Sequence, residues 1–238
     1  MKRKETRMQE PPPQSGCHDG SEQAFAADRA RLVAAIRRMT QDEDGFPPRA
    51  VSAQVLAVIG KVPRHRFVPR EIRSEAYGNH PLPIGHGQTI SQPYIVALMT
   101  DLLQLDKRQR VLEVGTGSGY QTAVLAELAG TVFSMEVVAP LAEMAAHTLH
   151  ELGYGNVTVQ AGDGAQGWPE HAPYDGILVT AAAEEVPPAL LQQLRPGGRL
   201  VIPVGGRFEV QRLLRITRRE AGGFEREYIE PVRFVPLV

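Results

Sequence analysis

Val111-Leu112-Glu113-Val114-Gly115-Thr116-Gly117-Ser118-Gly119-Tyr120 is the stretch on which the reading of this 238-residue chain turns. A short apolar run passes into a turn in which glycine recurs at every second position. In a parallel sheet wound on both faces, ligands bind beyond the carboxyl ends of the strands, and a glycine-rich first turn lets the backbone approach them. Ordinary turn chemistry accounts for one such glycine but not for the alternation at Gly115, Gly117 and Gly119. A dinucleotide fingerprint wants glycine at the first, third and sixth positions, and the sixth here is Tyr120. The preceding acid, Glu113, would repel a pyrophosphate and suits a cationic ligand such as a sulfonium or an amino group.

Outward from that turn, short apolar runs alternate with helix-length segments. Strands are expected at Val111 to Val114, Val132 to Met135, Val157 to Gln160, Gly176 to Thr180 and Arg199 to Val204, with helices at Tyr120 to Leu128, Leu141 to Leu152 and Pro188 to Leu194. In the helix from Leu141, residues Leu141, Met144, Ala145, Thr148, Leu149 and Leu152 share a face, and Gly153 supplies a left-handed stop. Nearly continuous apolar strands separated by helices mean an α/β fold: a Rossmann-like, doubly wound, mostly parallel sheet covered on both faces. After Gly205-Gly206 the helices cease, and Val210 to Thr217 and Tyr228 to Val235 read as antiparallel edge strands.

Upstream, Phe25, Leu32, Val33, Ile36 and Met39 form one stripe of an amphipathic helix over Ala24 to Met39. A second helix is expected after Pro47-Pro48, carrying Val51, Val55, Leu56 and Ile59 and ending before Pro63. From Tyr77 to Pro93 the glycines and prolines forbid a long regular element, which predicts an ordered loop leading into a helix over Tyr94 to Leu103. Residues 1–21, with Pro11-Pro12-Pro13, show no apolar periodicity and are expected to be a disordered extension. The rest, 22–238, reads as one domain, with a helical cap and loop over 22–105 and a ligand-binding core over 106–238.

Two further acids stand where such a core binds its ligand. Glu136 ends the second strand about twenty residues beyond the first glycine, where an acid accepts ribose hydroxyls. Asp163, in Gly162-Asp163-Gly164 after the third strand, is placed to accept an adenine amino group. A solvated loop carboxylate is the plain alternative for either.

Composition narrows the function classes. With 26 Lys+Arg against 27 Asp+Glu, no global field favours a polyanion. The arginines between Arg207 and Arg219 read as a solvated strand face. The single Cys17 permits no internal disulfide, and no apolar run follows the basic start or is long enough to span a membrane, so a cytoplasmic protein is expected. His147 and His150 lie three apart on a helix with no third ligand nearby, which favours a surface face over a metal site, and no metal is expected. His65, His80 and His86 read as loop histidines.

These residues resemble the class I S-adenosylmethionine-dependent methyltransferases. Two segments narrow the likeness: Leu82-Pro83-Ile84-Gly85-His86-Gly87-Gln88-Thr89-Ile90-Ser91-Gln92-Pro93-Tyr94, and Val232-Arg233-Phe234-Val235-Pro236-Leu237. Both are similar to the protein-L-isoaspartate O-methyltransferase family, as are Val62-Pro63-Arg64-His65 and Val179-Thr180-Ala181-Ala182. The likeness runs from about Ala30 to the end.

The resemblance implies methyl transfer from S-adenosylmethionine, leaving S-adenosylhomocysteine, to the free carboxylate of isoaspartyl residues in damaged proteins and peptides. It implies that Thr89, Ile90 and Ser91 border the substrate, with Ser91 in the catalytic position. It further implies that Gly115, Thr116 and Gly117 wrap the methionine portion, Glu136 the ribose, and Asp163 with Gly164 the adenine, while Val232 to Phe234 line a peptide groove. A monomer is expected, with no nucleic-acid or membrane partner.

Methyl transfer to a carboxylate needs no strong base, because the carboxylate is ionised at neutral pH and is itself the nucleophile. Positioning should dominate, in a dry pocket walled by Ile84, Ile90 and Tyr94. A Ser91 hydroxyl then orients the carboxylate through one hydrogen bond. From spacing alone Ser91 reads equally well as the N-cap of the helix that begins at Pro93. No Gly-x-Ser-x-Gly elbow surrounds it, which argues against a hydrolase triad. A class I methyltransferase acting on a small molecule or RNA, an NAD-dependent oxidoreductase, and a non-enzymatic binding module are the competing readings.

Overall fold

A computed structural model describes residues 22–40, 49–206 and 209–237. The expected disordered extension with Cys17 lies outside the described residues, as do Pro47, Pro48 and Arg207.

The first elements are helical: α1 (Glu22–Met39), α2 (Ala53–Ile59), then two short 3₁₀ segments at Arg64–Phe67 and Arg70–Glu75. A small hairpin follows, β1 (Leu82–Gly85) and β2 (Gln88–Ile90), and then α3 (Pro93–Leu103). The remaining elements alternate: β3 (Arg110–Val114), α4 (Tyr120–Ala126), β4 (Thr131–Glu136), α5 (Ala139–Glu151), β5 (Val157–Ala161), β6 (Tyr174–Val179), α6 (Pro188–Gln193) and β7 (Leu194–Val204). The chain ends in β8 (Gln211–Arg218) and β9 (Phe224–Val232).

The main sheet has seven strands in the order β5-β4-β3-β6-β7-β8-β9. Strands β3 to β7 are parallel, and β8 and β9 extend the β7 edge antiparallel. The chain winds outward from β3 through β4 to β5, then returns to the other side of β3 as β6. A crevice therefore opens at the carboxyl ends of β3 and β6, the place where such sheets bind ligands.

Alternate strand residues feed two apolar layers. Val111, Val132, Leu178 and Val201 join the layer that holds α1 to α5, whereas Leu112, Phe133, Ile177 and Leu200 join the one beneath α6 and Trp168. This is why the strands read as continuous apolar runs. Helix α1 is seated by Phe25, Leu32 and Ile36, and the Phe25 ring stacks on His65 at 4.0 Å. Among the described residues no helix is long and apolar enough to cross a membrane.

Several details differ from the sequence reading, among them β9, which runs Phe224–Val232 where Tyr228 to Val235 was expected. The loop of Tyr77 to Pro93 contains the β1–β2 hairpin, because Gly85, His86 and Gly87 all take positive φ and reverse the chain in place. Strand β7 begins at Leu194, five residues before the expected Arg199, with a register irregularity opposite Tyr174 and Gly176 that absorbs Pro196-Gly197-Gly198. Met144 is 60 % exposed, because the buried side of α5 is centred on Leu141, Ala142, Ala145 and Leu149 and Met144 falls beyond its edge.

Candidate active site

The glycine turn leaves β3 with Gly115 at φ +96°, a conformation that disfavours any side chain. Space forbids one too: a Cβ at Gly115 would lie 2.2 Å from Thr180 Oγ1. Thr180 follows β6, and its hydroxyl donates to the Gly115 carbonyl at 2.6 Å, so the two strand ends flanking the crevice are fastened together. Gly117 also has positive φ, and the Ile84 side chain of the hairpin reaches to within 3.4 Å of where its Cβ would be.

Strand β4 holds the turn from the other side. The Gly115 N–H donates to the Met135 carbonyl at 2.8 Å, and the Gly117 N–H donates to Glu136 Oε2 at 2.8 Å. The other Glu136 oxygen accepts from the Val138 N–H at 3.0 Å. Each oxygen keeps a further lone pair, so the carboxylate braces the turn and still faces the cleft as an acceptor.

Glu113 is placed differently from expectation. It is wholly buried and accepts hydrogen bonds from the hydroxyls of Thr122 and Ser134, while the Thr116 and Ser134 hydroxyls bond each other. Glu113 and Ser134 are register partners in β3 and β4, so their side chains share the face beneath α4, and neither lines the crevice at the strand ends. Burial raises the Glu113 carboxyl to about 8, against the opposing pull of the two hydroxyl donors. The countercharge role expected for Glu113 is therefore corrected: its side chain organises the turn from behind.

Thr89, Ile90 and Ser91, the residues expected to border the substrate, lie on and just beyond the hairpin's outgoing strand. Ile90 is buried at 4 %, whereas Thr89 is exposed and Ser91 half-buried, the alternation of a strand with one face on the core. Ser91 is not the N-cap of α3. That position is Gln92, without a side-chain cap bond, and Asn79 Oδ1 accepts the Tyr94 N–H at 3.0 Å instead. The Ser91 hydroxyl has no hydrogen-bond partner among the described residues.

Two clefts meet at this loop. The first spans about 780 Å³, with the solvent at its mouth included. Thr89, Ile90 and Ser91 form one wall, Gly115, Thr116 and Gly117 another, and Glu136 and Gly164 the far end. Asp163 stands exposed beside Gly164, its carboxylate accepting the Ala165 N–H at 2.8 Å. The second cleft, about 1390 Å³, is lined by Tyr94, Glu230 and Val232 to Phe234. Thr89, Ser91, Thr180 and Val235 line both. In the second cleft the Tyr94 hydroxyl donates to Glu230 at 3.0 Å, and burial raises the Glu230 carboxyl above its ordinary value.

The sequence reading did not single out Thr180, Gln121 or Glu230 as cleft residues. Thr180 was within reach, since it closes β6 at the switch point of the sheet. The C-terminal wall depends on pairing that spacing does not show: Ala182 N–H donates to the Val235 carbonyl and Leu237 N–H to the Ala182 carbonyl, both at 2.8 Å. Among the described residues the histidines lie apart from the clefts' shared wall, with His65 buried against Tyr77 and His147 paired to Glu151 on the surface. No group of three or more His, Cys, Asp or Glu able to hold a metal is present among the described residues.

Known proteins are similar to this chain in sequence and in fold. Relatives include protein-L-isoaspartate O-methyltransferase 2 of a Polaromonas species, 56% identical over 86% of this chain and 96% of its own length. A protein-L-isoaspartate O-methyltransferase of Opitutus terrae is 60% identical over 76% of this chain and 78% of its own length. A solved protein-L-isoaspartate O-methyltransferase superposes with a TM-score of 0.75 at 29% identity, covering 87% of this chain, which spans 65% of that one. A putative one from Plasmodium falciparum, in complex with S-adenosyl-L-homocysteine, gives 0.72 at 26% identity over 88% of this chain and 98% of its own. The model of the protein-L-isoaspartate(D-aspartate) O-methyltransferase family matches residues 47–238, and the chain belongs to that family.

Proposed function

We propose that this chain transfers the methyl group of S-adenosylmethionine to the free α-carboxylate of L-isoaspartyl residues in damaged proteins and peptides. The observation that carries this reading is the meeting of the two clefts at Thr89 and Ser91. One cleft has the glycine turn and a ribose-type acid, and the other lies between α3 and the C-terminal segment. S-adenosylmethionine, when bound, supplies an electrophilic methyl on a sulfonium, which a carboxylate attacks directly.

The chain's own residues hold the reactants. Gly115, Thr116 and Gly117 offer backbone to the methionine portion, Glu136 accepts from the ribose, and Asp163 with Gly164 borders the adenine. The Thr116 side chain is turned inward to Ser134, which leaves only its backbone for that purpose. Ser91, relieved of capping by Asn79, is free to donate to the acceptor carboxylate and orient it. Buried Ile90 and exposed Thr89 flank it, and Val232 to Phe234 line the groove for the peptide. No residue need act as a base, since the acceptor is already ionised.

Incubation with donor labelled in the methyl group and an isoaspartyl peptide tests the reading. Base-labile label released as volatile methanol from the isoaspartyl peptide, and not from its normal aspartyl counterpart, is the expected result. Base-stable label, or label appearing on RNA or a small molecule in preference to the peptide, would overturn it.

A further inference from the structure

Val62-Pro63-Arg64-His65 places a charged side chain in the core that the chemistry above does not use. Arg64 is 0 % exposed, and no carboxylate among the described residues pairs with it. Its Nε donates to the Ala76 carbonyl and its Nη2 to the Ser91 carbonyl, each at 2.8 Å. The guanidinium carbon lies 4.8 Å from the ring centroid of Tyr120, and the third nitrogen, Nη1, is buried without a hydrogen-bond partner. Burial lowers the guanidinium to about 10, so it remains a cation at neutral pH.

Burying a cation without a counter-ion is costly, and two carbonyl dipoles with one aromatic face offset that only in part. An apolar side chain of similar volume would fill the same space without that cost, so packing does not explain the choice of arginine. What the guanidinium alone supplies is a rigid planar fork that joins three points at once. The points are telling. Ala76 precedes the acceptor hairpin, Ser91 leaves it, and Tyr120 opens α4 where the glycine turn ends. Both ends of the hairpin segment are thereby tied to the residue that carries the donor-side turn into its helix, and Ser91 and Tyr120 both line the first cleft.

We propose that Arg64 is a positioning residue for methyl transfer: by binding the carbonyls of Ala76 and Ser91 while stacked on Tyr120, it fixes the acceptor loop at its working distance from the donor cleft. The inference rests on the methyltransferase reading given above. A backbone misplacement of about 1 Å costs on the order of 100-fold in rate when chemistry depends on alignment. The donor cleft itself, bounded by Glu136 and the glycine backbone, does not contact Arg64.

The test compares wild type with Arg64→Met and Arg64→Lys. Titration with S-adenosylhomocysteine counts competent sites and gives its affinity, and single-turnover methylation of an isoaspartyl peptide at saturating donor gives the rate per competent site. Expected for Arg64→Met is an affinity for S-adenosylhomocysteine within about 3-fold of wild type and a per-site rate lower by about 100-fold. Arg64→Lys keeps the charge but reaches one carbonyl at a time, so it recovers part of the rate and stays about 10-fold below wild type. A per-site rate equal to wild type in both variants, with only fewer competent sites or a lower melting temperature, makes Arg64 a structural prop and overturns the proposal. Loss of S-adenosylhomocysteine binding in both variants overturns it as well. A wild type that binds S-adenosylhomocysteine but does not methylate the peptide sinks the underlying reading instead.

Discussion

The Asn79 side-chain oxygen accepts the backbone N–H of Tyr94 at 3.0 Å, so the start of helix α3 is capped from fifteen residues upstream and not by the serine beside it. The consequence is a separable pair of variants. Asn79→Ala should cost about 1 kcal/mol of stability, the usual effect of losing a cap. Ser91→Ala should change stability by less than about 0.5 kcal/mol, because no hydrogen bond within the described residues is lost. Turnover should behave oppositely. At saturating donor and peptide, Ser91→Ala lowers kcat by about 10-fold or more through loss of carboxylate alignment, with S-adenosylhomocysteine affinity unchanged. Paired melting curves and steady-state kinetics check both, and an Ser91→Ala variant with wild-type kcat removes the orienting role.

Glu136 serves two ends, and its substitution should show both. Its oxygens accept the Gly117 and Val138 N–H groups in a site that is 6 % exposed, so Glu136→Ala strands two buried donors at about 1–3 kcal/mol each if water does not replace the carboxylate. The glycine turn loosens and, on the proposed reading, the ribose loses its acceptor, so S-adenosylhomocysteine affinity should fall by at least about 10-fold. Glu136→Gln keeps one acceptor but aims an amide N–H at a backbone N–H, and it should lie between. Calorimetric titration and thermal melts measure the two effects together. Unchanged affinity in Glu136→Ala would separate this acid from the cofactor.

Gly115→Ala should be among the most damaging single-methyl additions in the chain. The positive φ alone costs about 1–2 kcal/mol for a residue with a Cβ, and the contact with Thr180 Oγ1 at 2.2 Å adds to it. Thr180→Ala removes that oxygen along with its bonds to the Val114 and Gly115 carbonyls. In wild type it therefore destabilises, whereas in the Gly115→Ala background it relieves a clash. A double-mutant cycle by chemical denaturation should show the pair less destabilised than the sum of the singles. Strict additivity would mean that the turn has moved away from Thr180.

How much of this was legible beforehand depends on where the information lies in the chain. The sheet was legible because β3, β4 and β6 are buried on both faces and read as apolar runs, and because Gly115, Gly117 and Gly119 can alternate only where the backbone must turn in the left-handed region. The meeting of the two clefts was not, because Ser91, Thr180 and Val235 are brought together by pairings across the fold that no local spacing encodes. Glu113 shows a subtler failure. Its place in the sequence suggested a charge facing the ligand, yet strand alternation turns it to the α4 side, where Thr122 and Ser134 receive it. Arg64 shows no role in the sequence, since a buried cation hydrogen-bonded only to carbonyls leaves no partner of opposite sign to find.

That buried acid gives the molecule a dependence on pH that can be measured. The Glu113 carboxyl is raised from 4.5 to about 8 in the folded chain, with burial as the main cause. Between those values the folded state holds a proton that the unfolded state has released, so stability falls as pH rises through the window. Below about 4.5 both states are protonated and Glu113 contributes no slope; above about 8 the full cost of burying its charge is felt. Glu113→Gln supplies a neutral side chain of the same shape whose carbonyl oxygen accepts from Thr122 and Ser134 as the carboxyl does. Its stability relative to wild type should therefore improve steadily from pH 5 to pH 9, read as the difference between two urea-denaturation series. A difference that stays flat across that range would mean that Glu113 is ionised in the folded chain at neutral pH, and that its two hydroxyl donors, Thr122 and Ser134, hold a true carboxylate behind the glycine turn.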